Sequence, residues 1–426
     1  MNGTITDQLL TFAAAAVPSD AAEMMTLSLF DWMACGIAGA REEDFEDFVA
    51  SQKGMGQGPC ALFGGGNVPA PTAALVNGSL SHALDYDDTH FAHIGHPSVA
   101  VLPALIAMGQ ELHADLETVI EAATIGVEAS ILVGLWLGRT HYQVGYHQTA
   151  TAGAFGATLG AARLLELDAD QTRAALGLCA SMASGLKAQF GTMAKPLNAG
   201  LAARTGVEAT LWAQGGMTAA ADGLAGPLGF GPTHHGEAAE ATLPGANWRI
   251  LEISHKFHAC CHGLHAMLEA VGSAKIRPEV IQSIKIRTHP RWMSVCNIPS
   301  PKTGLSAKFS YTQTCAMALL GLGTDAIDTF TDEICRDPAV VALRDLVTVT
   351  ADERLSETQS EVSITLAAGD MRRFKHDLLA PMEITVRAEK LKRKASALVG
   401  GTRAEVLWQV ARGDSLRKLT DQLVMS

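Results

Sequence analysis

From residue 5 to about 245, apolar residues recur at intervals of three and four, the period of a helix with one buried face. The spacing predicts helices over 21–38, 72–84, 99–112, 116–136, 148–165, 169–185 and 199–214. The stretch 140–162 has no Asp, Glu, Lys or Arg and is rich in Gly, Ala and Thr. Small side chains let helix axes approach closely, so this segment is expected at the centre of a bundle, with its polar start facing a cavity. Asp168-Ala169-Asp170-Gln171 reads as a helix start, because a carboxylate there can accept from free backbone N–H groups.

After about residue 251 the period changes. Residues 280–288 alternate as a half-buried strand, and 347–351, 361–366 and 382–388 repeat the alternation. Ala367-Ala368-Gly369-Asp370 supplies a hairpin turn, while 310–322 and 329–343 read as helices, the second broken at Pro338. Residues 402–423 are helical again. A chain of 426 residues exceeds what one core usually serves. The expectation is a mainly α protein: a large all-helical bundle domain over 1–250, to which 390–426 return, and a smaller α+β lid domain over 255–388.

Composition narrows the function. The net charge of −12 argues against nucleic acid, which selects basic faces, but leaves room for a locally positive pocket that takes a small anion. Glu121 and Glu128 interrupt the apolar run 119–137, so no membrane span is expected. The N-terminus lacks a basic region followed by a convincing apolar core, and the eight cysteines follow no disulfide spacing. A soluble cytoplasmic protein with reduced thiols is the expectation.

Four places carry candidate chemistry. Residues 77–96 hold Asp85, Asp87, Asp88, Thr89 and the imidazoles of His82, His90, His93 and His96 between core-like flanks. Such crowding perturbs proton affinities, and a helical spacing would put His82 and Asp85 on one face. Gly145-Tyr146-His147-Gln148-Thr149 opens the uncharged helix, where the positive helix end keeps an imidazole neutral. Lys195, followed by Arg204, stands in a nearly charge-free region, and a buried ammonium calls for an anion such as a substrate carboxylate. His255 to His265 gathers four His with Cys260 and Cys261, but adjacent cysteines point apart and no zinc frame is present, so no metal is expected. A helical stretch would put Cys261 and His265 on one face, and His258 and His265 would instead face a cleft between the domains.

These residues resemble the MmgE/PrpD family, which includes 2-methylcitrate dehydratase, cis-aconitate decarboxylase and iminodisuccinate epimerase. The matching segments are Leu29-Phe30-Asp31-Trp32-Met33-Ala34-Cys35-Gly36, Asn77-Gly78, Asp85-Tyr86-Asp87-Asp88-Thr89, Gly95-His96-Pro97-Ser98, Tyr146-His147-Gln148-Thr149, Thr192-Met193-Ala194-Lys195-Pro196, Lys256 to His265 and Ala307-Lys308-Phe309-Ser310. The resemblance implies a helical bundle with a smaller lid, a homodimer, no metal or organic cofactor, and a site in the inter-domain cleft. It assigns catalysis to Asp85, His96, His147, Lys195 and His265, and substrate binding to Thr89, His90, Tyr146, Lys195, Arg204 and Cys261. Asn198, where many relatives carry histidine, departs from the pattern, as do His258 and His262. The implied activity is a cofactor-independent lyase that moves a proton next to a carboxylate of a small di- or tricarboxylic acid. Dehydration of a 2-methylcitrate-like acid leads. Decarboxylation of a cis-aconitate-like acid and epimerisation of an iminodisuccinate-like amino acid follow, and a non-catalytic metal- or metabolite-binding protein is the competing class.

Overall fold

Small residues shape the helical part of this chain. The structure is a computed structural model that describes residues 3–240, 243, 245 and 247–424. It divides into two units, Met1–His255 with Val399–Ser426, and Lys256–Leu398. The protein is mainly α, with a smaller α+β region.

The first unit contains α1 (Ser19–Gly39), α2 (Ala70–His82), α3 (Pro97–Leu112), α4 (Leu116–Gln143), α5 (Gln148–Leu164), α6 (Ala169–Met182) and α7 (Ala194–Gln214). The uncharged helix α5 is central: it packs against α3, α4, α6 and α7, and every residue but Arg163 is buried. Helices α2 and α7 touch backbone to backbone. A Cβ at Gly78 would lie 2.7 Å from the Gly200 Cα, and one at Gly200 would lie 2.1 Å from the Leu75 carbonyl oxygen. Only glycine permits that approach. Asp168 caps α6 by accepting from the Gln171 N–H at 2.8 Å, as its sequence context predicts.

Among the described residues, α4 is the one helix long and apolar enough to cross a bilayer, yet 83% of its apolar window is buried inside the fold. Its Glu128 accepts from the backbone N–H groups of Arg249 and Ile250 at 2.8 and 2.7 Å. The helix breaks at Gly138, whose φ of 75° and ψ of −173° suit glycine alone.

In the second unit, α8 (His265–Gly272) and α9 (Tyr311–Leu319) accompany a four-stranded sheet. Its strands are β1 (Ile281–Thr288), β2 (Val347–Ala351), β3 (Gln359–Leu366) and β4 (Met371–Asp377), in the order β2-β1-β3-β4. Strand β1 pairs parallel to β2 and antiparallel to β3, which puts Ile284 beside both Val347 and Ile364. Helix α8 packs on β3 and β4.

Two expectations are corrected here. Residues 382–388 do not form the last strand, because Ile384–Val399 is helix α10. The strand after the hairpin turn is β4, Met-Arg-Arg-Phe-Lys-His-Asp, whose residues are all exposed or half-buried. An edge strand without a buried face carries no apolar alternation. Pro338 begins a helix, Pro338–Arg344, rather than breaking one, since its missing N–H costs nothing in the first turn. The Asp337 carboxylate caps it by accepting from Ala339 and Val340. Gly401–Ala411 and Leu416–Asp421 are helices and belong to the first unit.

Candidate active site

Helix α2 stops at His82, and the backbone then turns sharply enough to put Asp85 at φ 49°. Aspartate tolerates this left-handed conformation better than most residues. The shared helical face expected for His82 and Asp85 therefore does not form. The loop is pinned by short bridges, Thr89 to Ser254 and His90 to Gly95, and re-enters helix at His96, the N-cap of α3.

This path sets Asp87 between two imidazoles. Its Oδ1 meets His82 Nδ1 at 2.8 Å and its Oδ2 meets His96 Nδ1 at 2.9 Å. On the far side of its ring, His96 Nε2 lies 3.2 Å from Asp85 Oδ1, which in turn lies 2.6 Å from Lys195 Nζ in the first turn of α7. Side-chain exposure falls along the row, from 50% at Asp85 through 12% at His96 to zero at His82, so the row opens to solvent at the Asp85 end. The anion that meets Lys195 in the structure is Asp85.

His147 completes the group. It is the N-cap of α5, and its ring stacks on His82 with centroids 6.2 Å apart. The Asn198 amide nitrogen lies 3.2 Å from His147 Nδ1 and also reaches the Leu186 carbonyl. With that amide donating, Nδ1 accepts and the ring proton sits on Nε2. The Phe190 ring packs edge-on against His147 at 5.0 Å, and Lys195 Nζ stands 5.7 Å from the centre of the same ring.

Burial dominates the electrostatics. It lowers His82 to about 4, helped by the positive charge of Lys195 and opposed by Asp87. It also holds His147 well below the usual imidazole range, with His82, Lys195 and His96 acting in the same direction. Both rings are neutral at pH 7. For Asp87, burial works against ionisation, but the two imidazoles outweigh it and keep the carboxyl well below the usual carboxylate range. Asp88 differs. Burial raises it, and it accepts from the Ser28 and Ser98 hydroxyls at 2.6 and 2.5 Å, joining α1 to α3.

The other candidates make contacts of their own. The Thr89 hydroxyl donates to the Ser254 carbonyl at 3.1 Å, and His90 Nε2 lies 3.2 Å from the Arg249 carbonyl. Tyr146 stacks on His141 at 4.5 Å, and Arg204 pairs with Glu208 one turn along α7. Cys261 and His265 belong to the second unit. The Cys261 N–H donates to the Lys308 carbonyl, while His265 is buried with Nε2 3.3 Å from the Cys260 carbonyl. The sequence marks Asn198 as a departure near likely substrate contacts, pairs His82 with Asp85 and counts Asp87 in the acidic cluster, but does not single out Phe190 or the His82–Asp87–His96 pairing. Nothing local marks either.

Among the described residues, one group of three metal-type donors lies within 4.8 Å, formed by His82, Asp87 and His96. Their facing atoms are spent on hydrogen bonds to one another, the geometry of an acid holding two imidazoles. The His/Cys stretch forms no such group among the described residues.

A row of acids and imidazoles closed by a lysine, built where two helix N-caps face the end of a third helix, defines a class. Residues 3–241 match the MmgE/PrpD N-terminal domain and 258–415 the MmgE/PrpD C-terminal domain, so the chain belongs to the MmgE/PrpD family. It is similar to the cis-aconitate decarboxylase of Aspergillus terreus, 32% identical over 286 residues that cover 62% of this chain and 58% of that protein. It is also 32% identical to the cis-aconitate decarboxylase of Homo sapiens over 170 residues, 38% of this chain and 35% of the human one. The matched span is less than two thirds of the length of these relatives.

Proposed function

We propose that this protein is a lyase that removes carbon dioxide from a small di- or tricarboxylic acid of the cis-aconitate type. The observation that carries the reading is His96, each of whose ring nitrogens faces a carboxylate oxygen, at 2.9 and 3.2 Å, beside the Lys195 ammonium. Only the doubly protonated ring can donate to both carboxylates, so His96 is a proton source next to a cation.

A substrate carboxylate entering at the half-exposed Asp85 end meets Lys195 first. As the C–CO2 bond breaks, its electron pair stays on the carbon framework and spreads onto a neighbouring carboxylate. Lys195 stabilises that charge, a contribution of ~3 kcal/mol for one well-aimed donor. His147 offers Nε2–H rather than a lone pair, which suits it to hold a carboxylate oxygen. A proton from His96 then takes the place of the departing carbon dioxide, and solvent restores it. The names of the relatives support this reaction ahead of dehydration.

The test is incubation in D2O with cis-aconitate-, citrate- and aspartate-like acids, followed by NMR. Loss of carbon dioxide with one deuterium incorporated is the expected result. Elimination of water from a citrate-like acid would move the assignment to dehydratase, and the absence of any turnover or exchange across the panel would remove the lyase reading.

A further inference from the structure

Asp87 is out of reach for a ligand: its side chain is 4% exposed and both its oxygens are occupied. One consequence of its position is unusual. Because His82 gives its Nδ1–H to Asp87, its lone pair must sit on Nε2, and that atom is buried without a hydrogen-bond partner. A buried acceptor left unpaired has lost its hydration without a replacement, which opposes folding. The other tautomer would deprive Asp87 Oδ1 of its donor. The arrangement thus sacrifices one nitrogen of His82 to keep Asp87 an ionised, doubly bonded carboxylate.

We infer that Asp87 is a positioning residue for catalysis: it holds the proton on His96 Nδ1, aims His96 Nε2 at the Asp85–Lys195 end, and stabilises the imidazolium from behind. His82 serves as the counterpart that fixes the second carboxylate oxygen. A carboxylate behind an imidazole fixes the proton on the facing nitrogen and stabilises the imidazolium by its charge, and a neutral amide supplies no such charge. This inference rests on the proposed proton transfer by His96. The charged and titratable groups around His96 are His82 at the end of α2, Asp85, Asp87 and Asp88 of the loop, His93, His147 of α5 and Lys195 of α7. Of these, Asp87 faces its Nδ1, at 2.9 Å.

Two measurements test it. In the 15N spectrum of the wild-type, ligand-free protein at pH 7, His82 is expected to carry its proton on Nδ1, and His96 on Nδ1 and Nε2 together. A proton on Nε2 alone in either ring overturns the inference, whatever the protein turns out to catalyse. Asp87→Asn can accept from one imidazole only, so one ring must invert its tautomer. The expected kinetic result is a tenfold or larger fall in kcat with KM within threefold, and an ionisation in the pH–rate profile displaced to lower pH. A variant with wild-type kcat and an unmoved profile overturns it. If no acid is turned over by the wild type, the proposed function fails, while the 15N spectrum still decides the placement of the protons.

Discussion

Replacing Lys195 by methionine separates a structural ion pair from a chemical one. At 2.6 Å the Lys195–Asp85 attraction is about 1.6 kcal/mol in a water-like medium and about 6 kcal/mol at an effective dielectric near 20. Asp85 is 50% exposed, so screening and recovered hydration reduce the net loss to ~1 kcal/mol or less. Asp85 also keeps His96 Nε2 as a neighbour at 3.2 Å when the lysine is gone. Stability should therefore hardly move. Turnover should respond differently: in the proposed reaction the ammonium acts on charge that develops only as the bond breaks, and losing one such donor is expected to slow catalysis by roughly 10²–10³. The assay pairs urea unfolding, followed by far-UV circular dichroism, with NMR detection of decarboxylation. Lys195→Met that turns over within threefold of wild type would refute the reasoning. So would a loss of about 3 kcal/mol of stability, which would make the pair part of the scaffold.

His147→Ala should abolish turnover while leaving the unfolding midpoint close to that of the wild type, and near-wild-type rates would remove His147 from the site. Asp85→Asn keeps a side chain that accepts the left-handed backbone but loses the charge; a fall in kcat/KM without a fall in stability is expected, from steady-state kinetics beside thermal unfolding. Stability should drop on acidification. His82, His90 and His141 lie at about 4 and His93 at about 3 in the fold, below their unfolded value near 6.5, so their contribution is complete above pH 6.5 and is lost as pH falls toward 4. Glu128, raised by burial to about 7, opposes them with the reverse sign, so these five groups together give a slope of roughly 4 kcal/mol per pH unit between pH 6.5 and 4.5, and the lowered His147 and His265 add to it in the same direction. Urea midpoints measured across that window check this, and a flat response would contradict it.

The helices of the bundle were legible from apolar residues recurring at intervals of three and four, and α5, buried on all sides, was legible as central from its lack of charge. Strand β4 was not, since it packs too little of either face to need an apolar pattern. The composition of residues 77–96 identified the chemical centre, but its pairing could not be read. Helical periodicity joined His82 to Asp85, while the turn after His82 joins it to Asp87 instead. Partners brought from separate helices were legible only as far as each looked unusual alone: Lys195 stood out as an isolated charge, whereas Phe190 looked like any apolar residue.

The contact of Gly78 with Gly200 fixes a length. Nothing compressible lies in that joint, so, on the proposed function, the span from His82, at the end of one helix, to Lys195, at the start of the other, would act as a rigid gauge for the acid that binds. Side-chain changes along α2 and α7 other than at the two glycines leave that approach in place. Adaptation to a longer or shorter acid must be written in the loops around Asp85 and Phe190, which can be remodelled while the two backbones stay in register.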